Sequence, residues 1–402
     1  MRKLRASEVF KPGAFPKYTY ISRLSTSFNF SYELRLKQAL STPGYLTSII
    51  GPSKTGKTVL CDKVIGLNNM VSLIGSDFKH AKDFWTIVAN KVGLSLEGEY
   101  TEKTVLKGSD FRPEDRCVST REKYIANKDK IIQHFVEHEL ILVLDDFHYA
   151  PKELQLDIAY QLKEAIRREF KAVIISLPHR ADDAIRKNAD LSGRLNLINI
   201  EPWQEDELKE IALTGFRELG IEISDSFATK MALESLTSPQ LMQSICLNLS
   251  LILDLDANEG IKTITNEEKL VESYRFTTIN FPYQEVVKKI EAGPSTRGQK
   301  RKSYEIEDGE QVDIYHLLLK AITLDPPAVK ISLDELKERV DRLTIQSKEK
   351  IERKKIKDSF QKIHEILFAS ELIYQVFEWK DDQLFILDPL FLFYVRWGTY
   401  ER

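Results

Sequence analysis

The sequence predicts an α/β protein that begins with a mainly parallel sheet and continues into a helical region and a C-terminal group of helices with a β-hairpin. Three observations lead to this fold class. Aliphatic runs typical of strands alternate with amphipathic helical segments between residues 45 and 202. The apolar spacing is helical from Gln204 to about Asn280, and three further helical segments precede a predicted hairpin after residue 313.

The first region has the alternation of a sheet with helices on both faces. The predicted strands are Tyr45–Ile50, Met70–Ile74, Leu140–Leu144, Lys171–Ser176 and Leu195–Ile200. The predicted helices are Tyr32–Leu40, Val59–Ile65, Ala81–Val92, Asp129–His138 and Leu154–Arg168. The polar segment from Leu94 to Arg121 contains two glycines and a proline, which predicts an irregular insertion. Residues 1–203 are therefore assigned to one α/β domain.

The remainder divides into three predicted parts. Residues 204–285 form a small helical domain, whose acidic first turn complements a helix dipole. Residues 286–312 are rich in Gly, Pro, Ser and charge, which indicates a linker. Residues 313–402 are typical of a winged helix. Its predicted helices and hairpin strands are Ile314–Thr323, Leu333–Leu343, Ile356–Glu371, Leu372–Glu378 and Gln383–Leu387, with a turn at Lys380-Asp381-Asp382.

The stretch GPSKTGKT fits the phosphate-binding pattern G-x-x-x-x-G-K-[ST] between a strand and a helix. Its glycines let backbone N–H groups approach phosphate oxygens, and the helix N-terminus adds a partial positive charge. Lys57 is predicted to reach the β- and γ-phosphates, and Thr58 to offer its hydroxyl to Mg²⁺. A turn without a ligand could carry the same pattern, but the strand and helix around it favour nucleotide binding. The candidate nucleotide contacts are Gly51, Pro52, Ser53, Lys54, Thr55, Gly56, Lys57, Thr58 and Val59.

Two aspartates, Asp145 and Asp146, follow the aliphatic run Leu140–Leu144. Ligands of open α/β sheets bind at the carboxyl ends of such strands. Asp145 is predicted to hold Mg²⁺, directly or through water, and Asp146 to orient or deprotonate the attacking water. The pair could instead begin a loop or cap the next helix, because Asp is also favoured there. The separation of Asp145 from Lys57 is ordinary for a phosphate-loop ATPase core, which favours the metal site.

Composition restricts the other function classes. The 402 residues are 42% hydrophobic and 30% charged, which is ordinary for a globular protein of two or three domains. A net charge of −3 does not suit wholesale nucleic-acid coating, so such contact needs a local basic patch. Cys61, Cys117 and Cys246 lie far apart, which argues against a structural zinc site and fits a reducing compartment. No apolar run approaches the roughly 18 residues needed to cross a bilayer, and the N-terminus lacks the apolar core of a secretion signal, so we expect a cytoplasmic protein without membrane contact.

The order of these parts, together with Leu144-Asp145-Asp146-Phe147, resembles the STAND branch of P-loop ATPases, with the AAA+ origin-recognition ATPases of archaea as the nearest alternative. The double aspartate is similar to the STAND form, whereas AAA+ enzymes usually carry Asp-Glu. The resemblance implies ATP and Mg²⁺ as ligands. GTP is disfavoured, because Asn127-Lys128-Asp129-Lys130 has Lys where a guanine-binding motif needs Asp.

The resemblance also implies roles for residues outside the loop. Ser176 and Arg180 occupy positions that sense the γ-phosphate in STAND proteins, and Pro239 occupies the place of a proline that contacts the base. Arg194 precedes the last strand as an arginine finger does in an AAA+ ring, although it could equally be a surface arginine. Gln240 cannot supply the charge that AAA+ enzymes place after that proline, which favours a slow switch. The candidate catalytic residues are Lys57, Asp146, Arg180 and Arg194.

Two functions follow as hypotheses. The first is an ATP-gated switch that assembles as a homo-oligomer and acts with a separate effector protein, as in bacterial antiphage defence. The second is a DNA-binding ATPase that recruits or loads replication or transposition machinery through the winged helix. The second depends on a basic cluster, which could instead be a solvated helix face or a protein contact. This basic cluster comprises Lys348, Lys350, Arg353, Lys354, Lys355 and Lys357.

Overall fold

The computed structural model describes residues 3–78, 83–94, 97–100, 122–125, 127–177, 193–257, 260–296, 298, 300–307, 309–345, 350–369 and 376–398. This part of the chain forms two compact units. The sheet unit comprises Leu24–Gly51 and Lys57–Ile200. The helical unit comprises Met1–Arg23, Pro52–Gly56 and Glu201–Arg402.

The elements up to residue 200 follow the predicted alternation of strands and helices. The helices are α1 (Ala6–Val9), α2 (Tyr32–Leu40), α3 (Lys57–Ile65), α4 (Phe84–Lys91), α5 (Lys128–Glu137) and α6 (Lys152–Ile166). The strands are β1 (Leu46–Ile50), β2 (Met70–Ile74), β3 (Glu97–Tyr100), β4 (Glu122–Ile125), β5 (Ile141–Asp145), β6 (Lys171–Ser176) and β7 (Leu195–Asn199). Short 3₁₀ turns follow β2 at Gly75–Phe78 and β5 at Phe147–Tyr149.

Five of these strands form one sheet in the order β2-β5-β6-β1-β7, and every neighbouring pair is parallel. The predicted α/β class with a parallel sheet is therefore confirmed. Because all five strands run in the same direction, their carboxyl ends meet at one edge. The segments that follow β1 and β5 both begin at that edge.

The central strand β5 is aliphatic up to its terminal aspartate because both faces of the sheet are covered there. Leu142 and Leu144 belong to one core, which also contains side chains of α4, α5 and α6. Val143 and Ile175 belong to a second core, which contains side chains of α2 and α3. The alternation of neighbouring residues between two cores fixes the register of β5 and hence the position of its terminal aspartate.

The predicted irregular insertion is partly regular. Strands β3 and β4 pair antiparallel, with Glu97 opposite Ile125. The sequence analysis did not predict these two strands, because this polar segment lacks the alternation of apolar residues that indicates a strand. Residues 101–121 of the insertion, including Cys117, lie outside the described residues.

The helical unit contains the remaining elements. Its later helices are α7 (Glu205–Glu218), α8 (Asp225–Glu234), α9 (Pro239–Ile252), α10 (Glu267–Thr278), α11 (Gln284–Ala292), α12 (Ile314–Ile322), α13 (Leu333–Leu343), α14 (Arg353–Ala369) and α15 (Pro389–Trp397). Its strands are β8 (Glu222–Ile223), β9 (Thr263–Ile264), β10 (Ser303–Glu305), β11 (Gln311–Asp313), β12 (Lys330–Ser332), β13 (Phe377–Lys380) and β14 (Gln383–Ile386).

The segment predicted to be a linker contains ordered elements. Helix α11 covers its start, and β10 pairs antiparallel with β11. Tyr304 and Val312 from this hairpin are buried in the core of the helical unit. Arg301 donates hydrogen bonds to the Asp313 carboxylate and the Pro294 carbonyl, both at 2.7 Å. A few buried side chains and one arginine thus order a segment whose composition is largely polar.

The three helices predicted after residue 313 are present. The hairpin is present too, but its first strand is Phe377–Lys380 and not the predicted Leu372–Glu378, of which residues 372–375 lie outside the described residues. The hairpin β13–β14 turns at Asp381 and Asp382, which both have positive φ, and β12 adds a third strand. Helix α15 packs through Arg396, which forms an ion pair with Glu234 at 2.5 Å, and through Trp397, whose Nε1 donates to the same carboxylate at 2.6 Å. The division into three domains and the winged-helix interpretation stay predictions.

Candidate functional site

The phosphate-loop segment has the backbone conformation that its glycines permit. Gly56 has a φ of 86°, a left-handed conformation that favours glycine, and Lys54 also has a positive φ of 63°. The Thr55 hydroxyl donates to the Pro52 carbonyl at 2.9 Å, which closes the turn. Helix α3 begins at Lys57, immediately after this turn. The loop therefore leads into a helix N-terminus, whose partial positive charge favours an anion.

Lys57 is 8% exposed, and its Nζ donates to the Gly51 carbonyl at 3.0 Å. Gly51 is the first residue of the loop, so the Lys57 ammonium is hydrogen-bonded to the point where the loop begins. A buried ammonium at a helix N-terminus creates a strong local positive potential. This position suits the predicted contact with phosphate oxygens.

Thr58 and Asp145 bring two oxygen atoms together at the same edge of the sheet. The Thr58 hydroxyl donates to Oδ2 of Asp145 at 2.6 Å, and the Asp146 backbone N–H donates to Oδ1 at 2.8 Å. Both carboxylate oxygens of Asp145 are therefore held in fixed directions. A hydroxyl beside a carboxylate is a donor set that Mg²⁺ accepts, since this ion usually takes one or two carboxylates and completes its shell with phosphates and water.

The charges around Thr58 also favour a cation. Burial and then the charge of Asp145 raise the pKa of Asp62, which lies one helical turn after Thr58 on α3. Burial, followed by the charges of Asp145 and Asp62, raises the pKa of the Cys61 thiol. Asp145 and Asp62 thus produce a negative potential around Thr58, and a divalent cation relieves such a potential. Within the described residues, no group of three or more His, Cys, Asp or Glu side chains forms a self-sufficient metal site.

Asp146 has an uncommon backbone conformation, with φ 47° and ψ 38°. A non-glycine residue in this left-handed region costs roughly 1 kcal/mol or more and needs support from its surroundings. The Asp146 carbonyl accepts a hydrogen bond from the Tyr149 N–H at 2.9 Å. Gly75 provides further support, because a Cβ placed there would lie 2.3 Å from the Asp146 carbonyl oxygen. The end of β2 thus fixes the backbone of the predicted water-positioning residue.

Replacement of Gly75 by Ala is expected to lower ATP turnover by about 10- to 100-fold, with a smaller change in ATP affinity. The new methyl group must displace the Asp146 backbone, and misplacement of a positioning group by about 1 Å can reduce rate by this amount. Steady-state ATPase assays and ATP titration of the same preparations measure the two effects separately.

Gly13→Ala is the matched control, because a Cβ at Gly13 meets no atom within 4 Å. Its turnover should equal that of the wild type. If Gly75→Ala lowers the melting temperature but leaves turnover within twofold, then Gly75 serves packing alone.

Ser176 and Arg180 are the two other predicted contacts for the γ-phosphate, and only Ser176 is among the described residues. Ser176 ends β6, its carbonyl accepts from the Gly51 N–H at 3.4 Å, and its buried hydroxyl has no hydrogen-bond partner among the described residues. A buried hydroxyl without a partner beside the loop fits a contact with a bound phosphate. Arg180 lies outside the described residues.

Arg194 lies at the edge of the sheet opposite the phosphate loop. Its carbonyl accepts from the N–H of Leu46, the first residue of β1, and β7 begins at the next residue. Five residues of strand separate it from the loop edge, a distance of about 16 Å. The guanidinium therefore cannot reach a nucleotide held by its own chain, and a role in catalysis requires another copy.

Two further predicted features, Pro239 in the helical unit and Asn127 in the sheet unit, lie at helix N-termini. Pro239 is the first residue of α9, and Ser238 caps this helix by accepting the Leu241 N–H. Contact of Pro239 with a base stays a prediction. Asn127 caps α5 by accepting the N–H groups of Asp129 and Lys130, so this near-match to a guanine motif has a structural role.

No protein-family model matches the sequence, and no curated protein is significantly similar to it. Similar solved structures include the Walker-type ATPase PABY2304 of Pyrococcus abyssi, which is 14% identical over 90% of this chain and 94% of that chain, with a TM-score of 0.49. Cdc6p from Pyrobaculum aerophilum is 14% identical over 96% and 94%, with a TM-score of 0.41. The Thermotoga maritima RuvB Holliday junction branch migration motor is 14% identical over 91% and 95%, with a TM-score of 0.39. At these identities and scores the functional interpretation depends on the site residues alone.

The basic cluster lies at the start of α14, and part of its charge is matched by carboxylates. Arg353 forms an ion pair with Asp334, and Lys357 forms one with Asp382, both at 2.7 Å. Lys354 and Lys355 are exposed, and Lys348 lies outside the described residues. The described part of the cluster therefore presents a smaller positive field than its sequence indicates.

No helix in the described part of the chain is long and apolar enough to cross a membrane.

Sequence reasoning did not identify Gly75, Asp62 or Trp203 as part of the site. Gly75 directly follows a strand, where glycine often marks a close backbone approach, and this signal could have found it. Asp62 lies four residues after Thr58, so helical spacing alone places both on one face of α3. The contact of Trp203 with the loop joins residues far apart in sequence, and no local pattern announces it.

Proposed function

We propose that this protein binds ATP with Mg²⁺, hydrolyses it slowly and acts as a nucleotide-gated oligomeric switch with a separate effector protein. The observation that carries the proposal is the 2.6 Å contact between Thr58 Oγ1 and Asp145 Oδ2, at the sheet edge from which the phosphate loop begins. A strand–loop–helix element for phosphates and an oxygen pair suited to Mg²⁺ meet there. This combination is the minimum that phosphoryl transfer needs.

Each residue has a distinct part in the proposed mechanism. Lys57 and the N–H groups at the start of α3 bind the β- and γ-phosphates, and Thr58 and Asp145 supply oxygen ligands to the ion. Mg²⁺, when bound with ATP, neutralises charge on the phosphate oxygens. Asp146 orients water for attack on the γ-phosphate and accepts its proton.

Two observations favour a switch over a rapid motor. Arg194 lies too far from the loop to stabilise the transition state within one chain, so efficient hydrolysis depends on assembly. Gln240 follows Pro239 at the start of α9 and carries no charge for the γ-phosphate. A role in antiphage defence is the biological setting proposed for such a switch.

The second candidate is a DNA-binding ATPase that recruits or loads replication or transposition machinery. Exposed Lys354 and Lys355 at the N-terminal end of α14 favour it, because clustered lysines neutralise phosphates. The ion pairs of Arg353 and Lys357 weigh against it, since they reduce the charge available to DNA.

Light scattering with and without ATP and Mg²⁺, combined with duplex binding across salt concentrations, separates the two functions. We expect ATP to shift the protein to an oligomer and duplex binding to be weak. If the chain instead binds DNA, the logarithm of the binding constant falls linearly with the logarithm of the salt concentration, with a slope of about one per phosphate contact. Changing Lys354 and Lys355 to Glu then weakens duplex binding strongly.

The matched control changes Lys288 and Lys289 to Glu, which alters the net charge equally on helix α11. Salt-sensitive duplex binding that only the α14 variant loses, without assembly in ATP, overturns the switch.

A further inference from the structure

Trp203 is a nearly buried tryptophan, 9% exposed, that lies just before helix α7. Its Nε1 donates a hydrogen bond to the Thr55 backbone carbonyl at 2.9 Å. Thr55 is itself 3% exposed and belongs to the tip of the phosphate loop. Because bulk water cannot readily replace the indole N–H in this buried place, the loop tip depends on Trp203 for its shape.

The orientation of the indole is fixed by Arg23. The Arg23 guanidinium lies over the Trp203 ring, 4.6 Å from its centre, and its side chain is only 6% exposed. Its Nη2 donates to the carbonyls of Glu201 and Pro202 at 3.0 and 2.9 Å. A planar cation with several fixed donors is well suited to hold both a ring and a turn of backbone.

The same arginine connects this contact to helix α7. Nε of Arg23 donates to Oε2 of Glu207 at 2.9 Å, and that oxygen also accepts the Gln204 N–H at 2.8 Å. Glu207 thereby completes a capping box at the first turn of α7. A continuous series of polar contacts runs from the helix start through Arg23 and Trp203 to the Thr55 carbonyl.

We infer that Trp203 is a positioning residue that holds the phosphate loop in its nucleotide-binding shape and couples its occupancy to helix α7. The inference rests on the proposed ATP-binding function and names the residue through which it is transmitted. ATP in the loop contacts backbone N–H groups of the tip, so the Thr55 peptide adjusts on binding. The indole donates to that peptide while Arg23 holds the ring, so a change at the Thr55 carbonyl is transmitted through this hydrogen bond to Arg23 and the first turn of α7. Arg23 and Trp203 therefore act through the loop and are not themselves contacts of the nucleotide.

The test compares Trp203→Phe with Trp397→Phe. Each change removes one hydrogen-bonded indole N–H donor of the same unit, from a buried Trp203 or a half-buried Trp397, but Trp397 bonds to Glu234 and not to the loop. We expect Trp203→Phe to weaken ATP binding about fivefold, the factor that corresponds to one ordinary hydrogen bond. Trp397→Phe should bind ATP as the wild type does, even where both variants lose similar thermal stability.

Tryptophan fluorescence provides a readout that a purely structural role would not change. ATP should alter the emission of the wild type and of Trp397→Phe, and that change should disappear in Trp203→Phe. Arg23→Lys serves as a second variant in case Trp203→Phe does not fold. It leaves the indole in place but loses the guanidinium fork, and it should weaken ATP binding twofold or more.

The outcomes distinguish this inference from the proposed function. If the wild type binds no ATP in titrations, the proposed function fails and the inference fails with it. If the wild type binds ATP while Trp203→Phe retains wild-type affinity and the emission change, the inference alone is overturned. Should Trp203→Phe not fold, wild-type affinity in Arg23→Lys overturns it equally.

Discussion

Lys57→Ala is expected to abolish ATP binding at ordinary titration concentrations. Lys57 is 8% exposed, and its ammonium donates to the carbonyl of the first loop residue, so its charge is only partly solvated by water. Removal of one member of a buried charge pair costs about 2–5 kcal/mol, so the dissociation constant should rise by about 30-fold to several thousand-fold. Isothermal titration of the purified variant measures this change.

Two further variants exclude trivial explanations for this result. Lys57→Met keeps most of the aliphatic stem and should lose ATP equally, which separates charge from packing. Lys63→Ala removes an exposed lysine from the last turn of the same helix and should bind ATP normally. Wild-type ATP affinity in Lys57→Ala would refute the nucleotide assignment as a whole.

Asp145→Asn is expected to reduce Mg²⁺-dependent turnover by about 100-fold or more while ATP still binds in the absence of the metal. An amide is a weaker ligand for a hard cation than a carboxylate, and the contacts from Thr58 and Asp146 hold the side chain where the ion is expected. Turnover measured against Mg²⁺ concentration should show a higher requirement for the metal.

Asp146→Asn is the companion to this change and should behave differently. ATP and Mg²⁺ should bind normally, and turnover should fall by about 10²- to 10⁴-fold, because an amide cannot take a proton from water. Asp157→Asn, on an exposed position of α6, serves as the neutral control. Unchanged turnover in both Asp145→Asn and Asp146→Asn would show that this strand end is not the catalytic edge.

Much of the sheet and the turn from Gly51 to Thr58 could be predicted because local patterns encode them. The aliphatic run of β5 has to be buried on both faces, and this requirement places Asp145 at the carboxyl edge. The glycines of the loop are likewise visible in the sequence, because Gly56 adopts a conformation that other residues avoid.

The contacts that shape the site could not be predicted, because they join residues distant in the chain. Gly75 meets Asp146 only after β2 and β5 pair, and Trp203 meets Thr55 only in the folded helical unit. The hairpin β10–β11 was missed for another reason. Its few buried residues, such as Tyr304, are diluted by charged neighbours in the composition on which the linker prediction depended.

Arg194 lies at the amino end of β7, a strand's length from the edge that carries Lys57 and Asp145. If Arg194 acts in catalysis, this placement requires that it act on the nucleotide of a neighbouring copy. Turnover per chain would then rise with protein concentration, because two copies would have to associate before hydrolysis. A single chain would bind ATP without hydrolysing it efficiently, and its association with other copies would determine how long the bound ATP stays intact.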